Sequence, residues 1–475
     1  MKPSLRRSAV LLLPLTVLLG AVATACGSGG WYPEEINMAD HGAHHGGSGA
    51  AGPIAVSCSD LKEAPSDAPV REFELTAERT TVRFEGGATA EAWTYNGSTP
   101  GPELRVTEGD RVVVRLNNED IDKGVTIHWH GVVLPCSQDG VPGVTQDAVF
   151  PGEQFTYEFV AKEPGTYWYH SHQQSSIQAK KGLIGRLIVE PKASAFAYDR
   201  DYAVTLQKLN DRETLTNGRK DGLRLDAAPG EIVRLRLVNA FDDVQWMGVA
   251  GAPFRVVSMD GYDLNEPGLI ERRWVPVGGG QRYDLLVTMP ESGQVRLYSR
   301  EEERWSVALG DGEAPPKLNK DDAAFELTAY GAPKPDGVSA DMAFDREFDI
   351  TLGPVDINGK RGHNIPPIVV AEGDWVKLRF KHELGGDHPM HLHGHRFKVL
   401  SKNGEPVSGS PIYADSVLLF MGDVVEVAFL ADNPGLWMTH CHNLGHAAAG
   451  MSLMVNYEGV DTPYRVGTKS GNLPD

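Results

Sequence analysis

EGDRVVVRLNN, residues 108–118, has two near-copies further along the chain, PGEIVRLRLVN at 229–239 and EGDWVKLRFKH at 372–382. Each opens on a Gly-acid turn and then alternates apolar with polar residues, the period of a strand buried on one face. An Asn-Gly pair precedes each copy, at Asn96-Gly97, Asn217-Gly218 and Asn358-Gly359. A second turn and strand follows: PGEQFTYEFVAKEPGTYWYHSH from Pro151, GGGQRYDLLVTMPESGQVRLYSR from Gly278, and MGDVVEVAFLADNPGLWMTHCH from Met421. Three copies of one β-rich unit, without any long stretch of helical period, predict an all-β chain of three Greek-key sandwich or barrel domains. We place these at residues 70–192, 193–335 and 336–475.

The flanking composition sets the frame. With 475 residues, 41% of them hydrophobic, the chain is long enough for several cores. A formal charge of -19 argues against nucleic acid as a partner. Lys2, Arg6 and Arg7 precede an apolar run broken by Pro14, so residues 1–26 read as an export signal rather than a spanning helix. The run ends in Ala23-Thr24-Ala25-Cys26, which resembles the lipobox of bacterial lipoproteins, where the cysteine is acylated. We therefore expect an exported protein held at the cell envelope through Cys26. Arg6-Arg7 leaves the general and the twin-arginine export routes both open. Residues 27–69, rich in Gly, Ser and Ala and carrying His41, His44 and His45, read as a flexible tether. Cys58 and Cys136 are expected to pair in an oxidising compartment, the alternative being two buried thiols.

The three copies differ in their histidines. The first and third carry HWHG at 128–131, HSH at 170–172, HLHGH at 391–395 and HCH at 440–442, where the middle copy has Gln245-Trp246-Met247-Gly248 and Leu297-Tyr298-Ser299. Strand residues two apart share a face, so each His-x-His pair presents two imidazoles and four pairs supply eight convergent donors. One pair alone would be solvated histidine; four pairs at repeat-equivalent positions point to a metal centre. The same alternation turns Cys441 away from His440 and His442, so its thiolate serves a different ion. A thiolate, two imidazoles and a weak axial thioether describe an electron-transfer copper, and Cys441, His388, His446 and Met451 supply that set. Zinc would require four strong ligands and would leave eight imidazoles unexplained.

With His-x-His-Gly, His-x-His, His-Pro-x-His-x-His and His-Cys-His-x3-His-x4-Met in order, the chain resembles the multicopper oxidases, specifically their three-domain bacterial laccase-like group. The resemblance implies cupredoxin-like domains and four copper ions. Type 1 copper falls to His388, Cys441, His446 and Met451, and type 2 to His128 and His391. The type 3 pair falls to His130, His170 and His442 on one side and His172, His393 and His440 on the other. It further implies that single electrons enter at the type 1 site and pass through Cys441 to the three-copper cluster, where dioxygen becomes water. Asp139, nine residues after His130, matches the acid that supplies protons there, with an Asx turn at Gln138-Asp139-Gly140 as the alternative. Ala447 stands where many bacterial relatives have Glu. Cu(I)-oxidising members crowd type 1 with acids and methionines, whereas here Leu384, Gly386 and Ala448 occupy those roles and Asp387 alone adjoins the ligands in sequence. The expected donors are phenols or aromatic amines, with Cu(I) as a second reading and a non-catalytic copper-carrying lipoprotein as a third.

Overall fold

The structure is a computed structural model and describes residues 33–39, 56–301 and 304–475. Each Asn-Gly pair forms a two-residue turn with both residues left-handed, at φ 54 and 75 for Asn96 and Gly97, 49 and 78 for Asn217 and Gly218, and 53 and 72 for Asn358 and Gly359. Asn and Gly tolerate that conformation at least cost. The asparagine side chain repeats one job three times. It accepts the N–H of Thr76, Thr205 or Thr351 and donates to the carbonyl two residues earlier, on Glu74, Ala203 or Asp349.

The Gly-acid turns repeat just as closely. Asp110, Glu231 and Asp374 each accept the backbone N–H three residues back and a guanidinium N–H from Arg71, Arg200 or Arg346 on the neighbouring strand. Partly exposed at the arginine end, these pairs fix register more than they add stability. They join parallel neighbours: Val70–Arg83 with Arg111–Asn118, Arg200–Leu209 with Ile232–Ala240, and Arg346–Leu352 with Trp375–His382. Each partner sheet has its own parallel pair, Glu103–Thr107 with Ile184–Glu190, Leu223–Leu225 with Ser306–Leu309, and Ile368–Val370 with Ser452–Tyr457. The result is three mixed two-sheet sandwiches, and the all-β fold expected from the repeat is observed.

Packing decides which way the histidine strands face. Fully buried Trp129 sits 5.6, 5.2 and 5.7 Å from the rings of Tyr157, Phe159 and Tyr169 inside the first sandwich. With Trp129 pointing in, alternation sends His128 and His130 out, toward the third sandwich.

The span 27–69 departs from the expected tether in both of its described stretches. Ile36 exchanges backbone hydrogen bonds with Val466, Asn37 donates to Asp461, and Asn456 donates to the Met38 carbonyl, leaving Ala39 buried. Val56–Ser57 adds a parallel strand to Val460–Asp461. The physical reason is that Ile36, Met38 and Val56 pack against the core as individual apolar side chains, which a Gly- and Ser-rich average conceals. Cys58 and Cys136 form a disulfide with S–S 2.07 Å, tying this stretch to the first sandwich. Residues 1–26 with Cys26, and the histidines His41, His44 and His45, lie outside the described residues.

Because the bridge closes a separation of 78 residues, Cys58→Ser should lower stability by about 2–4 kcal/mol. A lower thermal midpoint than the oxidised parent, matched by the parent under reductant, is the expected result.

Candidate metal centres

Strand pairing brings the donors together. His128–His130 runs against Gly165–His170, with His128 opposite His170, and His388–Leu392 runs against Leu436–Cys441, with His391 opposite His440 and Met390 opposite Cys441. Directly opposed residues share a face. His391 and His440 therefore point out of the third sandwich toward the first, while His388, Met390 and Cys441 point into it.

Eight imidazoles, each at most 1% exposed, meet between the first and third sandwiches. The Nε2 atoms of His128 and His391 are 3.5 Å apart, and those of His393 and His440 are 3.1 Å apart. Ligand atoms of His172, His393 and His440 all lie within 4.8 Å of one another. The rings of His130, His170 and His442 stand 4.7 to 5.9 Å apart. Nδ1 of His128, His391, His393, His440 and His170 faces an oxygen of Asp139, Asp415, Asp139, Cys441 and Ser171 respectively, at 2.8 to 3.1 Å. Holding Nδ1 aims Nε2 at the interior.

A metal fits this arrangement. Nδ1 of His130, Nε2 of His170 and both ring nitrogens of His172 and His442 are buried without hydrogen-bond partners. Leaving such groups unsatisfied costs about 1–3 kcal/mol apiece, a cost that an ion taking up their lone pairs would relieve. Burial first, and mutual repulsion second, holds His130, His172, His393 and His442 well below the ordinary histidine range, and His440 is brought down to about 3. Neutral imidazole is the ligating form.

The second centre lies on the other face of HCH. Cys441 Sγ is 3.5 Å from His388 Nδ1 and 3.7 Å from His446 Nδ1, with the two nitrogens 3.2 Å apart. His388 Nε2 bonds to the Gly353 carbonyl, which turns Nδ1 to the sulfur. Met451 is fully buried; its carbonyl accepts the Cys441 N–H and its N–H donates to the His446 carbonyl, both at 3.0 Å. Burial pushes the Cys441 thiol up and the His388 imidazole down to about 3. A thiolate would persist here only against a bound cation, and one thiolate with two imidazoles is a soft donor set of the kind copper takes.

Asp139 reaches the cluster, with Oδ2 2.8 Å from His393 Nδ1 and Oδ1 3.2 Å from His128 Nδ1, and its backbone N–H donates to the Cys136 carbonyl to close the Cys136–Gln138 turn. Asp387 is half-buried, and burial raises its carboxyl. In the middle sandwich Gln245 accepts the Trp305 indole N–H, a scaffold contact where the other copies have histidine. Three groups escaped the sequence reading. Asp415 lies within ligand distance of His130 and His391, Arg282 pairs with Asp415, and buried His382 has its ring 4.4 Å from that of His388. None of them stands in a His-x-His or Cys motif.

Three stacked sandwiches with one soft thiolate site and one shared imidazole cluster define an oxidoreductase of the cupredoxin-built copper class. Comparison is specific: two sequence profiles described as "Multicopper oxidase" match residues 76–194 and 333–459. The crystal structure of a multi-copper oxidase from Pseudomonas thermotolerans is 30% identical, covers 82% of this chain and 100% of its own, and superposes with TM-score 0.68. Multicopper oxidase MmcO of Mycobacterium tuberculosis is 27% identical over 484 residues, 86% of this chain and 92% of that protein. Laccase-2 of Botryotinia fuckeliana is 28% identical over 483 residues, 82% of each. The chain belongs to the multicopper oxidase family, whose members are copper-dependent oxidoreductases that use dioxygen.

In the unfolded chain these imidazoles protonate below about pH 6.5, whereas folded His388 and His440 resist until about 3. The unfolded state binds more protons across that interval, so stability is lost as pH falls through it. Thermal midpoints of the metal-free protein should fall steadily from about pH 7 to about pH 4; a flat profile would contradict the buried neutral cluster.

Proposed function

We propose that this multicopper oxidase is a laccase-like enzyme that takes single electrons from small phenolic or aromatic-amine donors. In this reading His388, Cys441, His446 and Met451 hold a type 1 copper, and His128 and His391 a type 2 copper. His130, His170 and His442, with His172, His393 and His440, hold a type 3 pair. Bound copper supplies one-electron relay and the four-electron reduction of dioxygen to water.

The chain's own part is to connect and to orient. Cys441 is bonded in sequence to His440 and His442, so a covalent path runs from the sulfur of one centre to an imidazole of each half of the other. Asp139 touches both His128 and His393, where it can hold a proton and orient two imidazoles at once.

One observation carries the choice of donor. The loop from Glu383 to Asp387 rims the partly exposed ring of His446: a Cβ added to Gly386 would lie 3.7 Å from His446 Cε1, and Leu384 is 59% exposed. Leu384 sets one exposed apolar side chain on this open loop, between Glu383 and Asp387, and such a surface near the electron-entry imidazole suits a flat aromatic ring. Cu(I) is the second reading, favoured by half-buried Asp387 and by Met421, 65% exposed beside Gly422, whose N–H bonds to the His382 carbonyl. A thioether suits Cu(I). A non-catalytic carrier would leave the eight-imidazole cluster without a use. We place the enzyme outside the cytoplasm, lipid-anchored at Cys26, in keeping with the Cys58–Cys136 disulfide.

Steady-state rates with 2,6-dimethoxyphenol and with Cu(I) on one preparation test this, and we expect the larger kcat/KM for the phenol. A clear advantage for Cu(I) reverses the ordering. Cys441→Ser should abolish the visible thiolate band and reduce turnover to background.

A further inference from the structure

We infer that the middle sandwich, which carries no ligand, completes the imidazole cluster: Arg282 pins Asp415 so that its carboxylate holds Nε2 of His130 and turns Nδ1 of that residue toward the metal. This rests on the copper assignment proposed above.

The turn Gly278-Gly279-Gly280-Gln281-Arg282 inserts between the two histidine-bearing sandwiches. Gly280, at φ +81, lies so close to the cluster that an added Cβ would stand 2.8 Å from both His130 Cε1 and His442 Cγ. Its carbonyl accepts the Trp168 indole N–H, and Gln281 Nε2 donates to the Ser416 carbonyl. Arg282 is completely buried. Its guanidinium makes a two-pronged pair with Asp415, at 2.8 and 2.6 Å, and donates further to the carbonyls of Thr166 and Asp260. One side chain thereby joins all three sandwiches. The pair passes directly over Gly131, at φ +83, where any Cβ would overlap Arg282 Nη2 and Asp415 Oδ2. The glycine of the HWHG motif is thus required by the ion pair.

Asp415 Oδ1 then lies 3.2 Å from His130 Nε2, 3.3 Å from His391 Nδ1 and 2.9 Å from Ser416 Oγ. This makes His130 the reverse of its neighbours. His128, His170, His391, His393 and His440 are held at Nδ1, whereas His130 is held at Nε2 and its buried Nδ1 has no partner. A two-pronged guanidinium fixes the plane of a carboxylate as a point charge cannot, so the orientation of His130 depends on a residue from the ligand-free repeat. Arg282 and Asp415 are positioning residues.

The test compares copper-loaded parent, Arg282→Met, Arg282→Lys and Asp415→Asn by copper per chain, visible and near-ultraviolet absorption, electron paramagnetic resonance and turnover. We expect the visible thiolate band in every variant, because Cys441 faces the other side. In Arg282→Met and Asp415→Asn we expect loss of the near-ultraviolet band of the bridged pair, a shifted type 2 resonance, and turnover about 10–100-fold lower. Arg282→Lys, which keeps the charge without the fork, should fall between. Parental spectra and turnover in Arg282→Met and Asp415→Asn would overturn the inference; if Arg282→Met does not fold, parental behaviour in Arg282→Lys and Asp415→Asn does so. A parent that binds copper without a visible or near-ultraviolet band instead refutes the copper assignment, which separates the two failures.

Discussion

The alternation of side chains along Leu436–Cys441 is the constraint on which both centres depend. Trp437 and Cys441 lie on one face and His440 on the other, and a one-residue slip in register would exchange the two. The structure guards that register with bulk. Fully buried Trp437 fills the space beside Gly394 and Gly435, where a Cβ at either position would collide with its ring, and its indole N–H bonds to the Asn433 carbonyl. On the far side the Cys441 N–H is taken by Met451 and the His442 N–H by Pro389. The segment is fixed by its neighbours at both ends, and only then does it divide its sulfur and its nitrogens between two sites.

What the sequence disclosed was whatever is periodic or local. The Asn-Gly turns, the Gly-acid turns and the His-x-His pairs each express their geometry within a few residues, so the three sandwiches and the histidine donors could be read directly. Arg282 and Asp415 could not, because they are separated by 133 residues and neither belongs to a recognisable spacing. Their partnership exists only after three sandwiches close on one another. Asp139 falls between these cases: its distance from His130 suggested the cluster, but a turn would have produced the same letters. The docked stretch at 33–39 was hidden for the opposite reason, since its few apolar residues are diluted by the glycine and serine that follow.

Buried charge is concentrated where the sandwiches meet. Beside Arg282 and Asp415, Arg234 and Arg236 converge on Asp284, which also accepts the Thr166 hydroxyl, and Arg236 reaches Asp201 and Glu190. Ion pairs withdrawn from water contribute little net stability because desolvation offsets their attraction. They do penalise misalignment, since a shift of either partner leaves a bare charge in an apolar setting. The middle repeat carries these fixed charges and no convergent histidines, and so acts as the brace that sets the spacing of the other two.

Sharing one cluster between the first and third sandwiches also has a consequence in time. A ribosome emits His172 roughly 200 residues before His391, which at typical synthesis speeds is an interval of about 10–40 s. During that interval half of the donor set exists as naked imidazoles, open to whichever divalent ion is abundant nearby. The full donor set of the shared cluster therefore exists only once the last sandwich has been made, so the cluster can be completed only after synthesis has passed His442.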